Sequence, residues 1–203
     1  MNRLAKLNSK IARRPSNRSR RGVAALEFAL SLPILLVLLL GLGDGTYFLL
    51  INERTDRIAY SVTDIVTQYQ AVTLANMNNI VLAAAQLMEP FTFGTKGIVI
   101  VTSVWKPPGG TPTICWQYTG GGTLSSVNSQ VGPPNASSTD CSSGPIANLP
   151  NGLTLQDNDN VIISEVYYSF SPIFVNAGPF LASTLYRVAV YKPRLSLLTQ
   201  APS

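Results

Sequence analysis

The chain has 203 residues, room for one membrane helix and one modest domain. It contains no histidine, which removes the usual Ser-His-Asp triads, most zinc sites and the commonest general acid–base group. Of its 15 basic residues, eight (Arg3, Lys6, Lys10, Arg13, Arg14, Arg18, Arg20 and Arg21) precede Gly22 with no acidic residue among them, so the remaining seven stand against ten acidic residues and the high pI belongs to the N-terminal arm.

Residues 1–22 read as a disordered, basic arm. Such an arm can bind nucleic acid. Beside an apolar span it marks the cytoplasmic side, so the reading here is topological, with no nucleic-acid partner. Residues 23–51 then form the predicted transmembrane helix, roughly 40 Å long, with Pro33 as a local kink. Asp44 falls near its outer interface. Gly41 and Gly45 make a small-xxx-small pair, which reads equally well as a close helix contact or a frayed helix end.

Residues 52–89 are predicted as an amphipathic helical region. Ile58, Val62, Ile65, Tyr69 and Val72 form a heptad-like stripe, so the span is expected to run on into a soluble helix over Arg54–Tyr69. A second helix is expected over Leu74–Met88, with Thr73 as N-cap, Met77, Ile80, Val81, Ala84 and Leu87 on the apolar face, and Pro90 as the stop.

Residues 90–203 have the texture of a β-rich domain expected in the periplasm. Gly97–Trp105, Thr113–Tyr118, Val161–Phe170 and Thr184–Tyr191 are the predicted strands. The Gly-, Ser-, Pro- and Asn-rich stretch between Tyr118 and Asn160 reads as an excursion loop. Cys115 and Cys141 can pair in an oxidising compartment, and the bridge is preferred over two buried thiols because a small loop-rich domain needs a staple. Asp157-Asn158-Asp159-Asn160 reads as a turn rather than a calcium loop, since it lacks the spaced ligands and bidentate Glu. Glu165 is expected to be a structural carboxylate paired with a cation such as Arg187 or Arg194. Trp105, Trp116, Tyr167 and Tyr168 are expected to pack on the sheet. No catalytic residue, metal ligand or cofactor is expected, and the chain is read as not an enzyme.

The chemistry concentrates in Arg20-Arg21-Gly22-Val23-Ala24-Ala25-Leu26-Glu27-Phe28. Glu27 sits at the start of a membrane-length apolar run, where an ionisable side chain costs roughly 2.5–3.5 kcal/mol on insertion scales. A partner amine would arise if the chain were cut after Gly22, leaving Val23 as residue one about 6 Å along the helix axis from Glu27. This spacing resembles the processing site of type IV pilins and pseudopilins, G-x-x-x-x-E-[FY]. Two other readings stand beside it. One is an uncleaved signal anchor carrying a chance Glu, and the other a secretory signal peptide cut after Gly41-Leu42-Gly43.

The longer block Arg21–Leu36 resembles the TadE-like family of Tad (tight adherence, Flp-type) pilus assembly proteins, whose pattern is G-x-A-A-x-E-F-A-x-x-x-P ahead of a leucine run. Asp44 matches the acidic residue that family carries near the end of the span. Val161–Pro172 and Tyr191–Leu195 resemble its C-terminal segments. The resemblance implies an α+β, type IV pilin-like fold: a long N-terminal membrane helix, a second helix and a small antiparallel sheet. It implies a minor pseudopilin supporting assembly of an adhesive pilus. Its partners would be a prepilin peptidase, other pilins or pseudopilins, the Tad inner-membrane machinery and the lipid bilayer. Gly22 and Val23 would flank the cut, and Glu27 would be the charge needed for processing or assembly. The expected location is the bacterial inner membrane, single-pass, with the N-terminus cytoplasmic, the C-terminal domain periplasmic and possible incorporation in the pilus. The rival readings are an uncleaved membrane-anchored periplasmic binding module and a periplasmic hydrolase on a signal anchor.

Overall fold

The computed structural model describes residues 17–136, 140–174 and 181–203, with side chains from Gly22 onward. The expected disorder of residues 1–16 lies outside the described residues. Helix α1 runs Asn17–Val66 and contains Pro33. It starts inside the basic arm, so residues 17–22 are helical rather than disordered. Arginine is a good helix former, and a helix already nucleated by the apolar run extends backward at little cost.

The chain divides into two compact units, Met1–Leu42 and Gly43–Ser203. In the first, the described residues are the helix from Asn17 to Leu42, whose apolar side chains from Val23 onward are largely exposed. Among the described residues, α1 is the one helix long and apolar enough to cross a membrane.

The second unit opens with the remainder of α1. Ile51, Ile58, Ala59, Val62 and Val66 are buried on one face, together with Thr55 and Thr63. Those two hydroxyls are satisfied by donating to the carbonyls of Ile51 and Ala59, both at 2.7 Å, one turn back. The helix ends at Val66, three residues before the predicted Tyr69. Thr67, Gln68 and Tyr69 form a closing turn, and Val72 enters the core from the loop. Helix α2 (Leu74–Ala85) is capped by Thr73, whose side chain accepts from the Asn76 N–H. It buries Met77, Ile80, Val81 and Ala84 as expected. Residues Gln86–Met88 then tighten into a 3₁₀ turn. At three residues per turn instead of 3.6, the inward position passes to Met88, and Leu87 is left partly exposed.

The strands are β1 (Gly97–Trp105), β2 (Thr113–Gly120), β3 (Asn160–Phe170) and β4 (Ser183–Tyr191). They form an antiparallel sheet in the order β2-β1-β3-β4. A bulge between Ser103 and Val104 places Cys115 and Trp116 toward the helices and Ile114 toward the opposite face. The helix-facing side packs Val99, Val101, Ile162, Val166, Tyr168 and Phe170 against α1 and α2. The other side carries Val104, Ile114, Val161 and Ile163, covered by Val131, Ala147 and Leu155 of the excursion loop. The layout is therefore the expected α+β one.

The loop is tied to the sheet at several points. Ile114 N–H donates to the Pro145 carbonyl and Ala147 N–H to that of Pro112, both at 2.9 Å. Cys115 and Cys141 are joined in a disulfide with Cα atoms 4.3 Å apart. At Gly144 a Cβ would stand 2.0 Å from the Ile114 carbonyl oxygen, so only glycine lets the loop lie this close. Gly144→Ala should therefore destabilise the domain by about 1–3 kcal/mol, whereas Gly94→Ala, where a Cβ meets nothing within 4 Å, should stay within about 0.5 kcal/mol. Urea unfolding of the full chain in mild detergent, followed by tryptophan fluorescence, measures both. In the same assay, replacing both cysteines by serine should cost roughly 3–4 kcal/mol in the chain-entropy model.

Candidate functional site

The processing block lies in the first unit. Gly22, Val23 and Glu27 are all in α1 and all exposed. A Cβ at Gly22 would meet nothing within 4 Å, so packing does not demand glycine there. Helical geometry keeps Val23 and Glu27 one turn apart on the same face. No described residue donates to Glu27. Of the sequence-predicted residues, the fold brings together Cys115 and Cys141, which are 26 positions apart.

Three features escaped the sequence. The first is Asp44, which is completely buried at the start of the second unit. Its carboxylate accepts from the Ile173 N–H at 2.8 Å and from the Phe174 N–H at 3.1 Å. A helix side chain thus satisfies the backbone of the β3–β4 connection nearly 130 residues away. No local pattern announces that pairing.

The second is Glu165, which is fully buried on the side of the sheet away from the helices. The expected arginine partners are elsewhere. Arg187 pairs with Asp56 at 3.0 Å and also donates to Asn52, and Arg194 pairs with Asp64. Both cations stand on the helix-facing side or at its edge, which the strand alternation separates from Glu165. Instead Glu165 accepts from Ser129 Oγ, from the Gln130 N–H at 2.8 Å and from the Tyr186 hydroxyl at 3.1 Å. Tyr167 Oη lies 3.2 Å from Glu165 and 2.8 Å from the Asn128 carbonyl, so its one proton is shared between them. The Glu165-x-Tyr167 spacing, two residues apart on one strand face, was the available clue. The cluster pins residues 128–130 of the excursion loop onto β3 and β4. Beside it lies a recess of about 400 Å³ lined in part by Ile98, Ile100, Gln117, Thr119 and Asn128.

The third is a seam built by Asn160 and the C-terminal tail. Asn160 Nδ2 donates to the Val104 carbonyl at 2.8 Å, and its Oδ1 accepts from the Leu198 N–H at 2.8 Å. The Leu198 carbonyl in turn accepts from Ser103 Oγ and from the Trp116 indole. The neighbouring acidic turn is held by cations: Lys106 bonds Asp157, and Lys192 bonds Asp159, each at 2.8 Å. These hydrogen bonds hold both carboxyls below the ordinary aspartate value. The turn therefore closes a strand end, as expected for that segment.

Burial first, then the Glu165 charge, raises the Tyr167 and Tyr186 hydroxyls above the usual value of 10.0. Burial also raises Tyr168, to about 12. A folded-state tyrosine value above the unfolded one means the contribution to stability is fully present below about pH 10 and is lost as pH rises further. Alkaline unfolding should thus begin above about pH 10, with a shallower pH slope in the Tyr167→Phe and Tyr186→Phe variants. Glu165→Gln should lower stability by about 1.5–3 kcal/mol and bring both tyrosine titrations, read by ultraviolet absorbance, closer to the usual value.

Comparison with known proteins adds one match. Residues 22–62 fit the family model described as TadE-like protein. No curated protein matches the chain, and no solved structure does. The matched stretch starts at Gly22 and contains Glu27 and Asp44. The C-terminal blocks Val161–Pro172 and Tyr191–Leu195 lie outside it.

Proposed function

We propose that this chain, which fits the TadE-like family model over residues 22–62, is a Tad pilus-associated protein and, more narrowly, a minor pseudopilin that supports Tad/Flp-type pilus assembly. The observation that carries the reading is that the family match begins at Gly22, the residue that ends the basic arm five positions before the Glu27 carboxylate. In this reading the chain is inserted in the bacterial inner membrane through α1, with its N-terminus in the cytoplasm and its C-terminal domain in the periplasm. A prepilin peptidase cuts between Gly22 and Val23.

The new Val23 amine then supplies a cation for Glu27, which has none among the described residues, from its own subunit or a neighbouring one. In a low-dielectric setting the attraction is large, and desolvation offsets much of it. What survives is selectivity. A subunit lacking the charge leaves an uncompensated amine in lipid, which disfavours its entry into an assembly. The role is structural rather than catalytic. Histidine is absent from the chain, and Glu165 is committed to loop donors.

A second reading, an uncleaved membrane-anchored binding module, draws support from the recess beside the Glu165 cluster. Processing separates the two. Intact mass of membrane-extracted protein should give a chain starting at Val23, and Gly22 replaced by a bulky residue should remain uncut. A chain retaining the arm favours the anchored module. Glu27→Gln should abolish or strongly reduce piliation and co-purification with other pilins while changing domain stability by no more than about 0.5 kcal/mol. Wild-type piliation by that variant would remove the electrostatic basis of the reading.

A further inference from the structure

The β3–β4 connection, beginning at Ser171, is unusual for a surface loop. From Ser171 to Ser183 the sequence contains no charged residue. Its described apolar side chains point outward: Ile173 is 63%, Phe174 58% and Leu181 56% exposed. Exposed apolar groups concentrated in one connection mark a partner or a membrane.

Three observations say which. The Phe174 ring lies against Gly43, where a Cβ would stand 3.3 Å from it, and Gly43 immediately follows the apolar run. Val23 to Leu42 makes about 30 Å of helix, close to the roughly 30 Å hydrocarbon core, so Gly43 falls at the interface. Tyr47, Phe48, Phe91 and Phe170 cluster one turn further on, with ring centroids 5.1–5.5 Å apart. Tyr47, a half-buried ring of this cluster on α1, is of the kind that collects at that depth.

The backbone is prepared for it as well. Loop N–H groups near hydrocarbon cannot rely on water and must be satisfied within the protein. The buried Asp44 carboxylate accepts from both the Ile173 and the Phe174 N–H. That fixes this part of the loop with its polar groups inward and its apolar side chains outward.

We propose that the described ends of the β3–β4 connection are membrane-surface elements, the first held by Asp44, so that Ile173, Phe174 and Leu181 enter the bilayer interface at the level of Gly43. The inference rests on the membrane-anchored part of the functional reading, and its test separates the two.

Full-length protein is reconstituted in vesicles of phosphatidylethanolamine and phosphatidylglycerol, with p-benzoylphenylalanine in place of Phe174, Leu36 or Ile146. Ile146 is 69% exposed, and its bridge to Thr113 puts it about 26 Å along β1 from the end nearest the loop. After irradiation, intact mass identifies the adduct, and near-ultraviolet circular dichroism establishes that each variant is folded. The expected result is lipid adducts at positions 36 and 174, several-fold above position 146. Lipid at 36 with only the background level at 174 overturns the loop proposal and leaves the anchor standing. A protein–protein adduct at 174 in place of lipid overturns it in favour of a second copy. Absence of lipid at 36 overturns the anchor and the loop proposal together.

Discussion

The central strands of this sheet are apolar on both faces, and that is the constraint from which most of the domain follows. Ile162, Ser164, Val166 and Tyr168 point one way along β3, while Val161, Ile163 and Glu165 point the other, and all are buried. A sheet of this kind cannot leave either face in water. Helices α1 and α2 cover one side by the ordinary packing of amphipathic faces. The second cover is made from a segment with no regular structure to speak of. Its Gly and Pro residues let it lie flat on the strands, and its backbone polar groups must then find partners on the sheet itself. The paired hydrogen bonds of Ile114 with Pro145 and of Ala147 with Pro112, and the Gln130 N–H on Glu165, are those attachments; the disulfide adds a covalent tie.

Among the described residues, the buried carboxylates of Glu165 and Asp44 accept from N–H and O–H donors. Glu165 gathers donors from a loop and a neighbouring strand, and Asp44 gathers backbone N–H groups from a distant connection. Both choices fit the geometry. A lysine or arginine at either place would bring a second charge out of water, whereas amides and hydroxyls carry a smaller desolvation cost. The ion pairs lie instead at the partly exposed margin, where Arg187 and Arg194 reach Asp56 and Asp64 on α1. There they hold the helix against the sheet and the C-terminal tail without burying net charge.

The two units divide the physical work. From Val23 to Leu42 the helix presents mainly apolar, exposed side chains, suited to lipid, with Glu27 as the one carboxylate among them. From Gly43 onward the same helix becomes amphipathic and turns a buried face to its own domain. The TadE-like match spans this change, from Gly22 to Val62, and contains both Glu27 and Asp44. Those acids differ in kind. Asp44 is satisfied by backbone N–H groups of its own domain, while Glu27 is exposed and has no partner among the described residues.

What the sequence determined by itself was local or repetitive. A run of β-branched residues marked β1 at Gly97–Trp105, the Thr73 cap and the 3.6 period marked α2, and the apolar run with its basic flank marked the membrane-length helix. Each depends on residues within a few positions of one another. The Cys115–Cys141 bridge was also within reach, because only two cysteines exist to pair. Tertiary structure alone decided where α1 stops, which of Leu87 and Met88 turns inward, and that a loop covers the second sheet face. It also decided that Glu165 faces tyrosines while Arg187 faces Asp56, and that Asp44 holds the backbone at Ile173. Apart from Glu165 with Tyr167 on its own strand, these pairings join residues 21 to 131 positions apart. Any acceptor can satisfy any donor that reaches it, so composition names the groups and only the fold, by burying them together, selects the pairs.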